Sequence, residues 1–257
     1  MDEILEFTVD TARRAGALLK KKLGSSLEIE YKGAIDLVTD ADREAEELIV
    51  SAIQGQFPSH TIIAEEKPRG GENPLSKWYI DPLDGTTNFA HGYPVFAVCI
   101  AHEIKNKLVL GVVYDPVRDE LFKAFRGRGA FLNERQVTVS TVDILDRSLL
   151  STGFPYDVRI NPEKPLEEFG KFILAAQAVR RDGSAALDLC HLACGRFDGF
   201  WERNLGPWDT AAAQVVVEEA GGIVTDYKGK PHRPGSKTIL ASNGHLHMQM
   251  MDVLKTK

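Results

Sequence analysis

Residues 81–89, which read DPLDGTTNF, constrain this chain more than any other stretch. The apolar residues 78–80 before it are typical of a buried strand that would deliver the Asp81 carboxylate to its carboxyl end. Because side chains alternate along a strand, Asp81 and Asp84 can face one site only if the chain turns between them, and the intervening proline favours a turn. The Leu83 carbonyl would then be available to bind a cation.

The residues that follow add a place for an anion. If a helix begins at Gly85, Thr86 and Thr87, their backbone N–H groups have no helical partner and can bind phosphate. Carboxylate and carbonyl oxygens suit a hard divalent cation. Residues 81–89 therefore predict a cation beside a phosphate, although residues 81–85 alone are also typical of an ordinary surface turn.

The nonapeptide resembles the signature of the inositol monophosphatase family, within a larger group of Mg²⁺-dependent, lithium-sensitive sugar-phosphate phosphatases. Three further stretches match the family in its order, at residues 36–42, 64–66 and 207–213, the last followed by a match at 219–222. The resemblance thus covers almost the whole chain. It implies an α/β (α+β) fold, a five-layer α-β-α-β-α sandwich with one antiparallel sheet and one mixed sheet.

Metal ligands are carried over from the family residue by residue. The resemblance implies that Glu65, Asp81 and the Leu83 carbonyl hold one Mg²⁺ ion, and that Asp81, Asp84 and Asp209 hold a second, with Asp81 bridging. A third, weaker ion would rest mainly on Glu65 and waters, so two to three ions are expected per active site. Mg²⁺ takes few carboxylates per ion, so these four suffice. By itself, Asp209 at a helix start would be interpreted as a cap.

Catalytic roles are implied in the same way. Thr86 resembles the threonine that orients the attacking water, and Asp42 resembles the acid that hydrogen-bonds that hydroxyl. Glu65 is a candidate base as well as a ligand. The implied reaction is direct attack of metal-activated water, without a covalent phosphoenzyme. Without the resemblance, Asp42 and Thr39 would be interpreted as ordinary helix-capping residues.

Substrate contacts are also implied by the resemblance. The candidates are Asp84, Gly85, Thr86, Ser184, Ala185, Glu202 and Asp209. Phosphate would bind the N–H groups of Gly85 and Thr86, and the segment at Ser184 resembles the one that starts a helix beside the sugar ring. Glu202 aligns with a ring-binding glutamate, although a surface acid at a strand end is the alternative. Trp208 is interpreted as a core residue.

The implied activity is that of an inositol-1-monophosphatase-type phosphoric monoester hydrolase, acting on inositol 1-phosphate or a similar polyol or sugar phosphate. Fructose-1,6-bisphosphatase, nucleotide 3′-phosphatase and histidinol-phosphatase activities are alternatives, because the catalytic residues are shared. Four basic residues could receive a second phosphate or be solvated surface charges: Lys164, Arg180, Arg181 and Arg203. A non-catalytic interaction module is the alternative of a different class, and the pairing of Thr86 with Asp42 disfavours it.

Composition limits the remaining possibilities. The chain has 257 residues, of which 43% are hydrophobic and 26% charged, as in globular proteins. The net charge of −6 and the lack of a long basic run indicate no nucleic-acid partner. The first residues lack an uninterrupted apolar segment and a cleavage site, so neither export nor membrane insertion is indicated and a cytoplasmic enzyme is expected. The resemblance implies a homodimer.

The three cysteines, Cys99, Cys190 and Cys194, form no disulfide framework. Buried reduced thiols are the favoured interpretation. Cys190 and Cys194 lie four residues apart with His191 between them, so a soft-metal site is the alternative.

Periodicity organises the chain into two expected lobes, residues 1–145 and 146–257, which share one cleft. Helices are predicted at residues 2–23, 40–56, 165–179, 184–193, 208–220 and after 244. Strands are predicted at residues 27–31, 61–64, 78–80, 95–101, 108–114, 120–125, 137–140, 197–202, 222–226 and 238–242. A hairpin at 32–38 and a loop at 67–77 complete the prediction.

Overall fold

The computed structural model describes residues 2–24, 29–31, 37–67 and 71–255. The helices are α1 (Asp2–Lys22), α2 (Asp40–Gln56), α3 (Thr86–Ala90), α4 (Glu163–Ala175), α5 (Ala185–Ala193), α6 (Pro207–Glu219) and α7 (His247–Lys255). The strands are β1 (Ile29–Tyr31), β2 (Leu37–Thr39), β3 (His60–Ala64), β4 (Asn73–Asp84), β5 (Ala97–Ile104), β6 (Lys107–Asp115), β7 (Glu120–Phe125), β8 (Ala130–Leu132), β9 (Arg135–Val137), β10 (Leu149–Thr152), β11 (Ala178–Arg180), β12 (Gly199–Arg203), β13 (Ile223–Thr225) and β14 (Thr238–Ser242).

Two large sheets organise these strands. The first has the order β3-β4-β5-β6-β7-β8-β9 and is antiparallel except for the parallel pair β3 and β4. The second has the order β11-β10-β12-β14-β13 and is mixed, because β10 pairs in parallel with β11 and β12 whereas β14 pairs antiparallel with β12 and β13. β1 pairs antiparallel with β2; the predicted hairpin residues 32–36 between them lie outside the described residues.

The helices and sheets stack in five layers, as the family resemblance implies. α1 and α2 cover one face of the first sheet around buried Ile49, Trp78 and Ile80. α5 and α6 lie between the sheets, where one apolar core contains residues of both. α4 and α7 cover the outer face of the second sheet, around Phe172 and Trp201. The fold is thus the predicted α-β-α-β-α sandwich.

Small residues bring α6 close to the first sheet. Ala211, Ala212 and Ala213 are all buried. A Cβ atom added to Gly111 on β6 would lie 2.1 Å from the Ala212 carbonyl oxygen, so only glycine allows this approach. The packing sets the position of the amino-terminal end of α6, which carries Asp209.

Some boundaries differ from those that periodicity predicts. The predicted loop at 67–77 is wrong over its last residues, because β4 begins at Asn73 and pairs with β5 from Ser76 onward. The helix predicted to residue 179 ends at Ala175, and β11 follows it. The strand predicted at 137–140 is replaced by the short β8 and β9. These strands have too few residues for a local period, and their sheet partners define them.

The predicted boundary between residues 145 and 146 falls within a short 3₁₀ helix, Leu145–Arg147, that lies between the last strand of the first sheet and the first strand of the second. The division into two lobes stays a prediction. Every helix in the described ranges is too short or too polar to cross a lipid bilayer.

Candidate active site

A β-bulge near the end of β4 shapes the residues 81–84. Asp81 pairs with Cys99 and Asp84 pairs with Ala97, so three steps along β4 oppose two steps along β5. A bulge stands where a turn was predicted. It also brings the Asp81 and Asp84 side chains to the same side of the strand, because an extra residue reverses the alternation of side chains. Both carboxylates and Leu83 line one cleft. The bulge takes Leu83 out of the regular backbone pairing with β5.

The chain then turns at Gly85 into the short helix α3. Gly85 has φ of +96°, a left-handed conformation that favours glycine. A Cβ atom there would lie 2.9 Å from the Val95 carbonyl oxygen, so a larger residue also lacks space. The backbone N–H groups of the first turn of α3 have no partner within the helix.

Thr86 and Asp42 meet although 44 residues separate them. The Thr86 hydroxyl lies 3.0 Å from Asp42 Oδ1 and 3.0 Å from the Leu83 carbonyl oxygen. Asp42 Oδ2 accepts hydrogen bonds from the Thr39 backbone N–H at 2.8 Å and from the Thr39 hydroxyl. Asp42 is therefore both the capping residue that periodicity suggests and the partner of Thr86 that the resemblance implies. Burial raises the pKa of Asp42, and the hydrogen bonds from Thr39 and Thr86 oppose that rise.

The cleft has a volume of about 390 Å³ and gathers nearly all the predicted site residues. Those that line it are Glu65, Asp81, Leu83, Asp84, Gly85, Thr86, Ser184, Ala185, Glu202 and Asp209. Asp42 lies behind Thr86 and is fully buried. Glu65 arrives from the end of β3, whose parallel pairing with β4 brings it to the same sheet edge as Asp81.

Each of three carboxylates is anchored by one oxygen. The Leu83 N–H donates to Asp81 Oδ1 at 2.9 Å, and the Gly206 N–H donates to Asp209 Oδ2 at 2.7 Å. Asp84 Oδ2 accepts from the Ala186 N–H at 2.8 Å and from the Ser184 hydroxyl. The other oxygen of each carboxylate makes no such anchor within the described chain, so all three can serve a ligand in the cleft.

The cleft carries an excess of negative charge, because six carboxyl groups and only two arginines of the described chain line it. Burial, then the charges of Glu65 and Asp84, raise the pKa of Asp81 and of Asp209 well above the ordinary carboxyl range. Burial raises the pKa of Asp84 to about 6, although the hydrogen bond from Ser184 lowers it. Oxygen donors with excess negative charge fit a divalent cation such as Mg²⁺.

The described side chains form no preformed cluster that would bind such an ion. Within the ranges that the structure describes, no three Asp, Glu, His or Cys side chains are grouped closely enough to do so. Mg²⁺ keeps several waters and takes only one or two carboxylates, so the residues of the cleft still fit such an ion. The same finding gives the soft-metal alternative for Cys190, His191 and Cys194 no support; Cys99 and Cys190 are buried, Cys194 is half-buried, and all three are free thiols.

The part of the cleft around Ser184 and Glu202, which the resemblance assigns to the sugar ring, differs in detail from that expectation. Ser184 caps α5, accepts a hydrogen bond from the Leu187 N–H at 3.3 Å and donates its hydroxyl to Asp84, so its proton is already used. The interpretation of Trp208 as core is wrong: its side chain is half-buried and lines the cleft. Burial raises the pKa of Glu202 to about 8.

The four basic residues considered for a second phosphate lie in different places in the structure. Arg181 and Arg203 line the cleft, and Lys164 lines an adjoining cavity of about 430 Å³ together with Arg203. Arg203 is bound to Glu168 through its Nε at 2.8 and 2.9 Å. Arg180 donates to a backbone carbonyl and lines neither cavity.

Asp188 and Gly153 are among the cleft residues that sequence reasoning missed. Asp188 lines the cleft from α5, and its position four residues after Ser184, one helical turn along, is the signal that could have identified it. Gly153 lies against the Glu202 carboxyl group: a Cβ atom there would be 2.3 Å from Glu202 Oε1. No local pattern distinguishes this glycine, which lies between β10 and α4.

Known proteins resemble the chain over nearly its full length. The model described as "Inositol monophosphatase family" matches residues 1–256. The inositol-1-monophosphatase of Synechocystis is 47% identical over 253 residues, covering 97% of this chain and 88% of that protein. The Nus factor SuhB of Escherichia coli is 43% identical over 254 residues, covering 98% of this chain and 95% of that protein.

A solved structure agrees with the fold. The inositol monophosphatase from Anabaena superposes with a TM-score of 0.90 at 42% identity, covering 98% of this chain and 95% of that one. The whole-chain family match, these identities and the shared fold agree with the residues gathered in the cleft. The chain therefore belongs to the inositol monophosphatase family.

Proposed function

We propose that the protein is a Mg²⁺-dependent phosphomonoesterase that hydrolyses inositol 1-phosphate, or a similar polyol or sugar phosphate, to the alcohol and phosphate. One observation carries the proposal: the Thr86 hydroxyl, in contact with buried Asp42, faces the same cleft as the carboxylates of Glu65, Asp81 and Asp84. A metal-binding fold without catalysis has no need of a hydroxyl paired in this way.

Charge explains the choice of residues. A phosphate monoester repels nucleophiles through its own negative charge, and bound Mg²⁺ would neutralise that charge and make water more acidic. The residues that would hold the ions are Glu65, Asp81, Asp84, Asp209 and the Leu83 carbonyl. Because one oxygen of Asp81, Asp84 and Asp209 is anchored to the backbone, the other oxygen is held in a defined direction.

Thr86 orients the attacking water. When its hydroxyl donates to Asp42, the Thr86 oxygen can accept a hydrogen bond from water, which leaves a lone pair of that water available for attack on phosphorus. Glu65 is the candidate base that takes the water proton. The N–H groups of Gly85 and Thr86 bind the phosphate oxygens.

A panel of phosphate esters tests the proposal. With Mg²⁺, the protein should release phosphate fastest from myo-inositol 1-phosphate among that ester, 3′-nucleotides and histidinol phosphate. Fructose 1,6-bisphosphate is the second candidate, because Arg181 lines the cleft and Lys164 lines the adjoining cavity, and both are cations that could bind a second phosphate. Absence of phosphate release from every ester would refute the enzymatic proposal.

We also propose a cytoplasmic homodimer that lithium inhibits, as the resemblance implies. Sedimentation tests the dimer, and phosphate release with added LiCl tests the inhibition. Relatives named Nus factor SuhB are the reason to keep a separate interaction role as the alternative of a different class. That role would survive loss of catalysis in the Asp81→Asn variant, which separates the two.

A further inference from the structure

Asp188 is a buried acid that the proposed chemistry leaves unused. It lies on α5, three and four residues after Ala185 and Ser184, and therefore on the same side of the helix as both. It lines the cleft but is only 2% exposed. Its Oδ1 atom is buried without a hydrogen-bond partner, and within the described residues no protein donor reaches its other oxygen.

An acid in this position is costly to the folded protein. Burial raises the pKa of Asp188 well above its ordinary range, and the charges of Asp182 and Glu202 raise it further. Buried polar groups are normally hydrogen-bonded, as Asp84 is by Ser184 and the Ala186 N–H. A purely structural acid would have such donors, so the missing donors point to a ligand.

Glu202 on β12 is in a matching situation. It is buried, it lines the same cleft, and the hydrogen bonds of the described chain include none to its carboxyl group. Gly153 leaves the space that this carboxyl group occupies. The charge of Glu202 raises the pKa of Asp188 and of Asp209, so Glu202 lies near both. Within the described residues neither Asp188 nor Glu202 is anchored by a hydrogen bond, so both acids can accept hydrogen bonds from a bound molecule.

We propose that Asp188 is a specificity-determining residue that, beside Glu202, accepts a hydrogen bond from a second hydroxyl group of the substrate alcohol. The inference deepens the proposed function and rests on it. The pair selects polyol esters with neighbouring hydroxyl groups, each of which donates to one acid.

One positive charge lies beside the two acids. Arg181 lines the cleft and lies near enough to lower the pKa of both Asp188 and Glu202. This positive charge offsets part of the negative charge of the two acids, so neutral hydroxyl groups can satisfy them and a cationic substrate group is not required.

Two esters separate the role of Asp188 from general damage. Myo-inositol 1-phosphate carries hydroxyl groups next to its ester, and p-nitrophenyl phosphate carries none. Asp188→Ala should raise KM for the inositol ester about tenfold or more and leave kcat/KM for the nitrophenyl ester within about twofold. Asp188→Asn, which keeps an acceptor oxygen, should recover part of the lost affinity.

Asp182→Asn is the matched control. Asp182 is half-buried, its charge acts on Asp188, and it does not line the cleft. The ratio of kcat/KM for myo-inositol 1-phosphate to kcat/KM for p-nitrophenyl phosphate should not change in this variant. An equal loss on both esters in Asp188→Ala, or no loss on either, would overturn the inference. So would a wild-type preference for histidinol phosphate that depends on Asp188.

A stability measurement distinguishes binding from folding. Because Asp188 lacks donors, Asp188→Asn should melt at the same temperature as wild type or higher, whereas a structural role requires a lower melting temperature. Free myo-inositol should raise the melting temperature of wild type but not that of Asp188→Ala. If wild type hydrolyses neither ester, the proposed function fails. The inference then stands only if this inositol effect is observed, and its absence overturns it.

Discussion

Thr86 Oγ1 lies 3.0 Å from Asp42 Oδ1, while Asp42 Oδ2 accepts the backbone N–H of Thr39. One carboxyl group thus caps α2 with one oxygen and holds the candidate catalytic hydroxyl with the other. The cap fixes the orientation of the Asp42 carboxyl group, and this group in turn orients the Thr86 hydroxyl.

Removing the Thr86 hydroxyl should slow turnover without unfolding the protein. Thr86→Val has nearly the same shape but cannot orient water, so kcat should fall about 100-fold to 1,000-fold with a smaller change in KM. Steady-state kinetics with myo-inositol 1-phosphate and Mg²⁺ measure this. Thr86→Ser keeps the hydroxyl and should retain most activity. A Val variant within threefold of wild type would show that the hydroxyl does not orient the water.

Asp81→Asn should remove most of the stabilisation that Mg²⁺ gives to the folded protein. The substitution removes the carboxylate whose pKa burial and its acidic neighbours raise, so the metal-free protein should be no less stable than wild type. Mg²⁺ at about 100 times its Kd should stabilise wild type by about 2.7 kcal/mol and the variant far less. Thermal melting with and without Mg²⁺ measures both effects. Asp10→Asn, an exposed change on α1, is the control for lost charge; a normal Mg²⁺ response in Asp81→Asn would exclude a bridging ligand.

Gly153→Ala should weaken substrate binding through Glu202. The new Cβ atom would lie 2.3 Å from Glu202 Oε1 and 2.4 Å from Oε2, so the carboxyl group must move. KM for myo-inositol 1-phosphate should rise about tenfold, whereas turnover of p-nitrophenyl phosphate should change little. Gly170→Ala is the control, because a Cβ atom there meets nothing within 4 Å. Equal kinetics in the two alanine variants would contradict a binding role for Glu202.

Buried His102 should make the folded protein less stable as the pH falls. Its side chain is buried and stacks on Trp78, with 4.3 Å between the ring centroids. Its Nδ1 atom has no hydrogen-bond partner among the described residues. Burial lowers the pKa of His102 from 6.5 to about 4. Below pH 6.5 this histidine is therefore protonated in the unfolded chain, whereas in the folded protein it stays neutral until about pH 4. The stability of the folded protein falls as the pH falls through this range. The loss from this histidine at pH 5 is roughly 2 kcal/mol.

Urea unfolding at pH 7 and pH 5 measures this loss. His102→Gln should be less stable at pH 7 but should lose about 2 kcal/mol less than wild type between the two pH values. Comparing the two differences removes the contribution of other titrating groups. The same change at exposed His245 should leave the wild-type difference unaltered. An unaltered difference in His102→Gln would contradict the assignment.

Chemical motifs made the site predictable to a large extent. The candidate oxygen donors at Asp81, Asp84 and Asp209, and the pairing of Thr86 with Asp42, were identified from stretches that match the family's motifs. Long amphipathic helices such as α1 and α2 are equally visible, because their period extends over several turns. The short strands β8, β9 and β11 are not, because three residues define no period.

The amino-acid sequence by itself determined the family, the layered fold and the chemical type of each donor. Only the tertiary structure decided that a bulge brings Asp81 and Asp84 into one cleft. It also decided that the Ser184 hydroxyl donates to Asp84, and that Gly153 leaves space for the Glu202 carboxyl group. The physical reason is that donor chemistry is a property of single residues. Accessibility, free hydrogen-bonding capacity and space depend on what distant segments place beside them.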